Sequence, residues 1–174
     1  MAWTVPPTAV AGALLTASQW NAGVRDNLLE TAPAKATLSG RIFVSTGANS
    51  IAQRSIVSDK ITAQQNTASG SYVNLGTVGA TVTVTTGTLA QVHHGCQLFS
   101  STTGTVWASY AISGATTVSA SDEWANEANG TDGNRSGVSE LHTVTAGSNT
   151  FQQKYRVGSG TGTFDDRYII VWAL

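Results

Sequence analysis

From Ile61 to Ser121 the chain carries no Asp, Glu, Lys or Arg, a run of 61 residues in which His93 and His94 alone could take up charge. A soluble domain ordinarily has charge at about a quarter of its positions. The run is no membrane span, since nothing in it approaches the ~18 consecutive apolar residues a helix needs to cross a bilayer. It is too rich in Val, Leu, Tyr and Trp to stay disordered. Its short alternations of apolar and polar residues are the pattern of half-buried strands. A strand surface of Thr, Ser, Gln and Gly has no charge to repel a neighbour, and so suits packing against further copies of itself.

The rest of the composition agrees. Ser and Thr total 43 of 174 residues and Gly adds 18, a bias toward strands and turns over helices. Charged residues make up 11% and the net charge is −1. That excludes the basic patch of a nucleic-acid binder and the polybasic segment of a membrane-surface protein. The opening lacks the basic segment and apolar core of a secretory signal, so maturation in a cytoplasm is expected. Cys96 is the single cysteine; it falls in an alternating stretch and reads as a small buried side chain.

Three zones are expected: an arm over 1–35, a connector over 36–70 and a β module over 71–174. In the arm, Pro6 and Pro7 impose an extended course. Thr16 with Gln19 forms a capping-box signal. Trp20, Val24 and Leu28 follow at helical spacing, predicting a helix from about Ala17 to about Leu29 that ends before Pro33. One amphipathic helix cannot bury its own stripe. The arm therefore packs either on the chain's own β module or on another protein. In the connector, Gly40–Thr46 and Ser50–Arg54 read as strands around a Gly47–Asn49 turn. Such a hairpin is marginal by itself, and pairing between chains would support it. Ser55–Ile61 reads as a further short strand or turn.

The module should contain eight strands: Tyr72–Leu75, Ala80–Thr85, Leu89–Phe99, Thr105–Ser113, Thr116–Ala120, Gly137–Val144, Thr150–Val157 and Thr163–Ala173. That number of short strands predicts an all-β, jelly-roll-like sandwich, preceded by the helix-bearing arm and the hairpin connector. Ala90, Val92, His94, Cys96 and Leu98 share one strand face, and Val106, Ala108, Tyr110 and Ile112 share another. The unbroken run Tyr168–Trp172 reads as a strand buried on both faces.

The arm and connector resemble known sequences. Trp3, Pro6-Pro7, Leu14-Leu15-Thr16-Ala17, Trp20-Asn21 and Val24-Arg25-Asp26-Asn27-Leu28 resemble, in that order, the N-terminal motif of many phage virion proteins. Gly40–Arg54, with Ser45–Asn49 at its turn, resembles a repeat unit of tail-fibre and head-fibre proteins. The region after residue 70 resembles their C-terminal β domains, of the tumour-necrosis-factor and C1q type. The resemblance implies a homotrimeric virion structural protein, assembled in the host bacterial cytoplasm. Its partners would be further copies of itself and the major capsid protein or another virion protein. Val5, Pro6, Pro7, Leu14, Leu15, Trp20, Val24 and Leu28, with Trp3, would be the particle-docking residues. Fibre shafts usually carry several connector repeats and this chain has one, which favours a short capsid decoration or head spike. The alternative is a tail-associated fibre protein that binds host-surface carbohydrate through Trp107, Trp124 or Tyr110, since aromatic faces suit apolar sugar faces.

No enzyme is expected and no cofactor. Asp122 and Glu123 beside Trp124 could serve a glycosidase, but no second matched signal accompanies them. Asp165-Asp166-Arg167 reads as local ion pairing. His93 and His94, adjacent on a strand, point to opposite faces and cannot chelate one ion; three copies of one His around a three-fold axis could. Asn129-Gly-Thr131 and Asn134-Arg-Ser136 match glycosylation sequons, expected here to be ordinary turns. No metal-ligand spacing or phosphate loop occurs.

Overall fold

The computed structural model describes residues 4–8 and 10–174, and divides the chain into two compact units, Met1–Ser55 and Ile56–Leu174. Trp3 lies outside the described residues.

In the first unit the Thr16 capping box forms as the sequence predicts. The Gln19 amide donates to Thr16 Oγ1 at 3.2 Å, and the Thr16 amide to Gln19 Oε1 at 2.9 Å. The helical run then comprises α1 (Ala17–Trp20), a π-helical turn over Asn21–Arg25 and α2 (Asp26–Leu29). A separate turn, α3 (Ala32–Lys35), takes Pro33 in its first turn, where a missing N–H costs no hydrogen bond. Strand β1 (Arg41–Gly47) returns through Asn49, at φ 55°, into β2 (Ser50–Ile61). Lys35 joins α3 to this hairpin, bonding the Ile51 carbonyl at 3.1 Å and Glu30 at 2.6 Å.

Strand β2 belongs to both units. Its first half pairs with β1, and Ile56–Ile61 pairs antiparallel with β10 (Gly162–Ala173). Ser55–Ile61 is thus neither a turn nor a separate strand. With β3 (Gln65–Thr67), which also pairs with β10, it belongs to the sandwich, so part of the segment read as a connector sits in the module's sheet. The remaining strands are β4 (Thr81–Thr86), β5 (Leu89–Ser100), β6 (Thr105–Gly114), β7 (Asn126–Asn129), β8 (Asn134–Thr143) and β9 (Gly147–Val157).

One sheet of the second unit runs β2-β10-β5-β8 and the other β4-β9-β6-β7. Numbered as eight strands in chain order, these are 1-8-3-6 and 2-7-4-5, which is the winding of a jelly roll. The core lies between the sheets and is built by strict alternation. Ala90, Val92, His94, Cys96 and Leu98 of β5 are all buried, as are Val106, Ala108, Tyr110 and Ile112 of β6. Burial pushes the Cys96 thiol up to about 12, so it is inert packing.

Several local expectations are corrected. Tyr72–Leu75 and Thr116–Ala120 are not strands; each touches a sheet at a single bridge, Val73↔Tyr155 and Ile112↔Val118. Strand β7, Asn-Glu-Ala-Asn, has poor β propensity and escaped the pattern. It is held by pairing with β6 and by the buried Asn126 amide, which donates to the Ser136 carbonyl at 3.0 Å. The C-terminal strand is buried on one face, not two. Ile169, Val171 and Ala173 enter the core, while Trp172 is 41% exposed and Tyr168 and Ile170 are half-buried. Sheet packing covers one side of β10, and no element of this unit covers the other.

The Asp165–Arg167 segment is a β-bulge, with Asp166 at φ 49°. Its charges do not pair with one another. Asp166 bonds Arg135 at 2.8 Å and Lys60 at 3.0 Å. Arg167 is fully buried and donates to the carbonyls of Ala63, in the β2–β3 turn, and Thr77, in the β3–β4 connection.

Candidate functional site

The arm is where the sequence and the structure place apolar surface in water. Leu14 is 94% exposed, Val5 87%, Leu28 61% and Trp20 54%, with Leu15 and Val24 also exposed. Among the described residues of the first unit, the one buried residue is the polar Asn27. This segment is nonetheless organised. Pro6 and Pro7 run back along the helical turn and, with Leu14, Leu15, Trp20 and Val24, line a groove of about 360 Å³ that contains no charged side chain. The expected docking residues other than Trp3 and Leu28 are therefore gathered at or beside one groove.

A second surface is the Trp172 end of the outer face of the β2-β10-β5-β8 sheet; further along the same face stand Lys60, beside Tyr168, and Arg135, both bonded to Asp166. Register places Ile56, Trp172, Gln91 and Leu141 side by side in one row across the four strands. Ser58, Ile170, His93 and Ser139 form the next row. Ile56 and Leu141 are exposed beside Trp172. Sequence reading missed this face because it took the C-terminal run as doubly buried; the alternation of Tyr168, Ile170 and Trp172 was the available signal.

The expected sugar platforms are occupied by the protein itself. Trp107 carries the Arg156 guanidinium 3.6 Å from its ring centroid, and its indole N–H donates to Glu127 at 2.9 Å. Trp124 packs against the core, donates to the Tyr110 carbonyl at 3.2 Å and meets His142 edge-on at 5.2 Å. Tyr110 is fully buried and bonds His142 through its hydroxyl. Tyr110 is closed to solvent, while Trp107 and Trp124 are half-buried and each has part of its ring engaged in a contact of the sandwich.

Of the neighbouring carboxylates Asp122 and Glu123, the first is engaged within the fold. Asp122 opens a short 3₁₀ turn (Asp122–Trp124), pairs with Arg156 and accepts from Tyr72 at 2.6 Å. The Arg156 guanidinium holds its carboxyl below the usual range, the reverse of the raised value a proton-donating acid requires. His93 and His94 do face opposite sides. His93 lies on the outer face near Trp172, and His94 is buried with Nε2 donating to the Trp124 carbonyl at 2.9 Å. Burial pushes His94 down to about 4. Among the described residues no cluster of His, Cys, Asp or Glu could hold a metal ion, and no helix is long and apolar enough to cross a membrane.

No protein-family model matches the sequence, and no curated protein matches it. Among solved structures, the chain is similar to the infectious bursal disease virus VP2 subviral particle. Identity there is 11% and the TM-score 0.49, over 75% of this chain and 36% of that one, so the chain spans about a third of VP2. It is also similar to Eiger TNF from S. frugiperda, at 9% identity and TM-score 0.45, over 68% of this chain and 92% of that one. A third likeness is to the C-terminal CBM6 of LamC, a laminarinase from Zobellia galactanivorans, at 15% identity and TM-score 0.31, covering 67% of this chain and 98% of that one. At such TM-scores none of these says what this chain does. The jelly-roll topology rests on its own strand order.

Proposed function

We propose that this chain is a homotrimeric phage virion structural protein, a capsid decoration or head spike. It docks through its N-terminal arm and presents the jelly roll as a knob. The observation that carries this reading is the arm: a short segment exposing Val5, Leu14, Leu15, Trp20 and Leu28, with no buried apolar side chain among its described residues. Fully burying one such side chain contributes about 1.5–3 kcal/mol, so a partner surface that covers several supplies a docking energy without any charge. The order of virion-like motifs along the same segment supports a virion protein as that partner. The Trp172 end of the outer face of the β2-β10-β5-β8 sheet, where the rows of Ile56 to Leu141 and Ser58 to Ser139 hold no Asp, Glu, Lys or Arg, supports self-association. Three arms held together then gain avidity. The activity is binding, not chemistry.

Deleting residues 1–35 tests the reading. Association with particles that lack this protein should be lost while the jelly roll keeps its cooperative unfolding. Retained association overturns arm docking. Electron cryomicroscopy of the parent particle adds the location: density on the capsid lattice, in threes, agrees with decoration. Density at the tail moves the protein to the fibre class and makes host-surface carbohydrate the ligand to test.

A further inference from the structure

Two parts of the arm that are separated in sequence meet at one side chain. Asn27 is buried, and its amide satisfies both backbone groups of Thr4: the Thr4 N–H donates to Asn27 Oδ1 at 2.8 Å, and Asn27 Nδ2 donates to the Thr4 carbonyl at 2.9 Å. Nδ2 also donates to the Gly23 carbonyl at 3.0 Å. A side-chain amide that pairs an N–H and a C=O of one residue reproduces the exchange made by a neighbouring strand. The extended Thr4–Pro7 segment is thereby laid along the helical turn, at the one buried residue among the described residues of this unit.

Gly23 is the other half of the seat. A Cβ at this position would lie 2.7 Å from Pro7 Cδ, well inside van der Waals contact. Gly23 falls within the Asn21–Arg25 π-turn, a wider and less common winding than α that recurs at functional sites. Glycine in a helix interior ordinarily costs about 1 kcal/mol relative to alanine. Here it admits the proline ring, and the groove lined by Pro6, Pro7, Leu14, Trp20 and Val24 exists because that ring is seated.

We infer that Asn27 and Gly23 are positioning residues that assemble the Thr4–Pro7 segment and the helical turn into one preformed docking head. Particle binding would then depend on them although neither supplies the exposed apolar contact. The inference rests on the arm-docking reading above. Pre-organisation is what it adds: an arm already folded into its binding shape loses less freedom on docking.

Gly23→Ala separates this from a helix-only account, because the two predict opposite signs. Alanine strengthens the helix and expels Pro7. If the helix alone docks, the variant binds equally or better; if the seated segment is needed, it binds about tenfold or more weakly. The assay uses full-length protein and particles lacking it, with Asn27→Ala, Asn27→Asp and the 1–35 deletion alongside. Hydrogen exchange at the Thr4 amide is read in the free protein. The expected result is a protected Thr4 amide in the parent chain. That protection is lost in Asn27→Ala and kept in part in Asn27→Asp, which retains the Oδ1 acceptor. Binding weakens in both Gly23→Ala and Asn27→Ala. Unprotected Thr4 in the parent chain, or variants that dock like the parent while the deletion does not, overturns the positioning role and leaves arm docking standing. A deletion that still docks overturns both.

Discussion

Arg167 Nη1 donates to the carbonyl of Thr77 at 3.1 Å, from a side chain with no exposure to solvent. Nη2 reaches the Ala63 carbonyl at the same distance, and the guanidinium stands 5.4 Å from the Tyr155 ring. A strand residue at a bulge therefore ties the β2–β3 turn to the long β3–β4 connection. The planar fork of arginine suits two divergent carbonyls in a way that an ammonium does not.

Arg167→Met should keep most of the packed volume but leave two carbonyls facing an apolar group. At about 1–3 kcal/mol for each buried polar group left unpaired, the jelly roll should lose about 2–4 kcal/mol. Arg167→Lys should recover only part of that. Urea midpoints with an unchanged m-value check it. A larger m-value change in either variant would mean that the connection detaches in the native state.

Acid should destabilise the sandwich through His94. Its Nε2 carries the proton donated to Trp124, while Nδ1 is buried without a hydrogen-bond partner; protonation would place a charge and an unmatched donor in the core. Because the folded value, about 4, lies below the unfolded one, the unfolded chain binds the proton first. The contribution is complete above the unfolded value near 6.5 and falls as the pH drops toward about 4, by about 3 kcal/mol over that window. His142, also lowered by burial, adds in the same direction. A pH series of urea midpoints on the parent chain and His94→Gln should show a shallower acid limb in the variant.

Truncating the exposed arm should separate binding from stability. Trp20→Ala and Leu28→Ala remove side chains that contact solvent, so thermal unfolding of the jelly roll should not move. Particle affinity should fall about tenfold or more for each, the equivalent of 1.5 kcal/mol or above. Co-sedimentation against stripped particles measures the change.

Trp172→Lys should divide self-association from folding. The side chain is 41% exposed on the sheet's outer face, so the monomer tolerates a cation there. Three cations brought together at the row of Ile56, Trp172, Gln91 and Leu141, which holds no acid, would each lose water without a partner. Sedimentation equilibrium should show the parent chain as a trimer and the variant as a folded monomer. A variant that stays trimeric places the subunit contact elsewhere.

By itself the sequence determined the class of fold, the helical arm and the inward faces of the long strands. Period-two alternation in Leu89–Ser100 and Thr105–Gly114, and the Thr16–Gln19 cap, are local signals carried by neighbouring residues. What lay beyond it was set by partners distant in the chain. Asn126–Asn129 is a strand because β6 is there to pair with it, and Tyr168–Trp172 keeps an open face because a second sheet covers only one side of the first. Trp107 and Trp124 looked like free platforms until Arg156, His142 and the Tyr110 carbonyl met them. In the arm, Asn27 read as one polar letter of a helix; only the fold brings it to Thr4, 23 residues away. Nearly every connection of a jelly roll crosses between its sheets, so burial at each of these positions depends on contacts that no window along the chain contains.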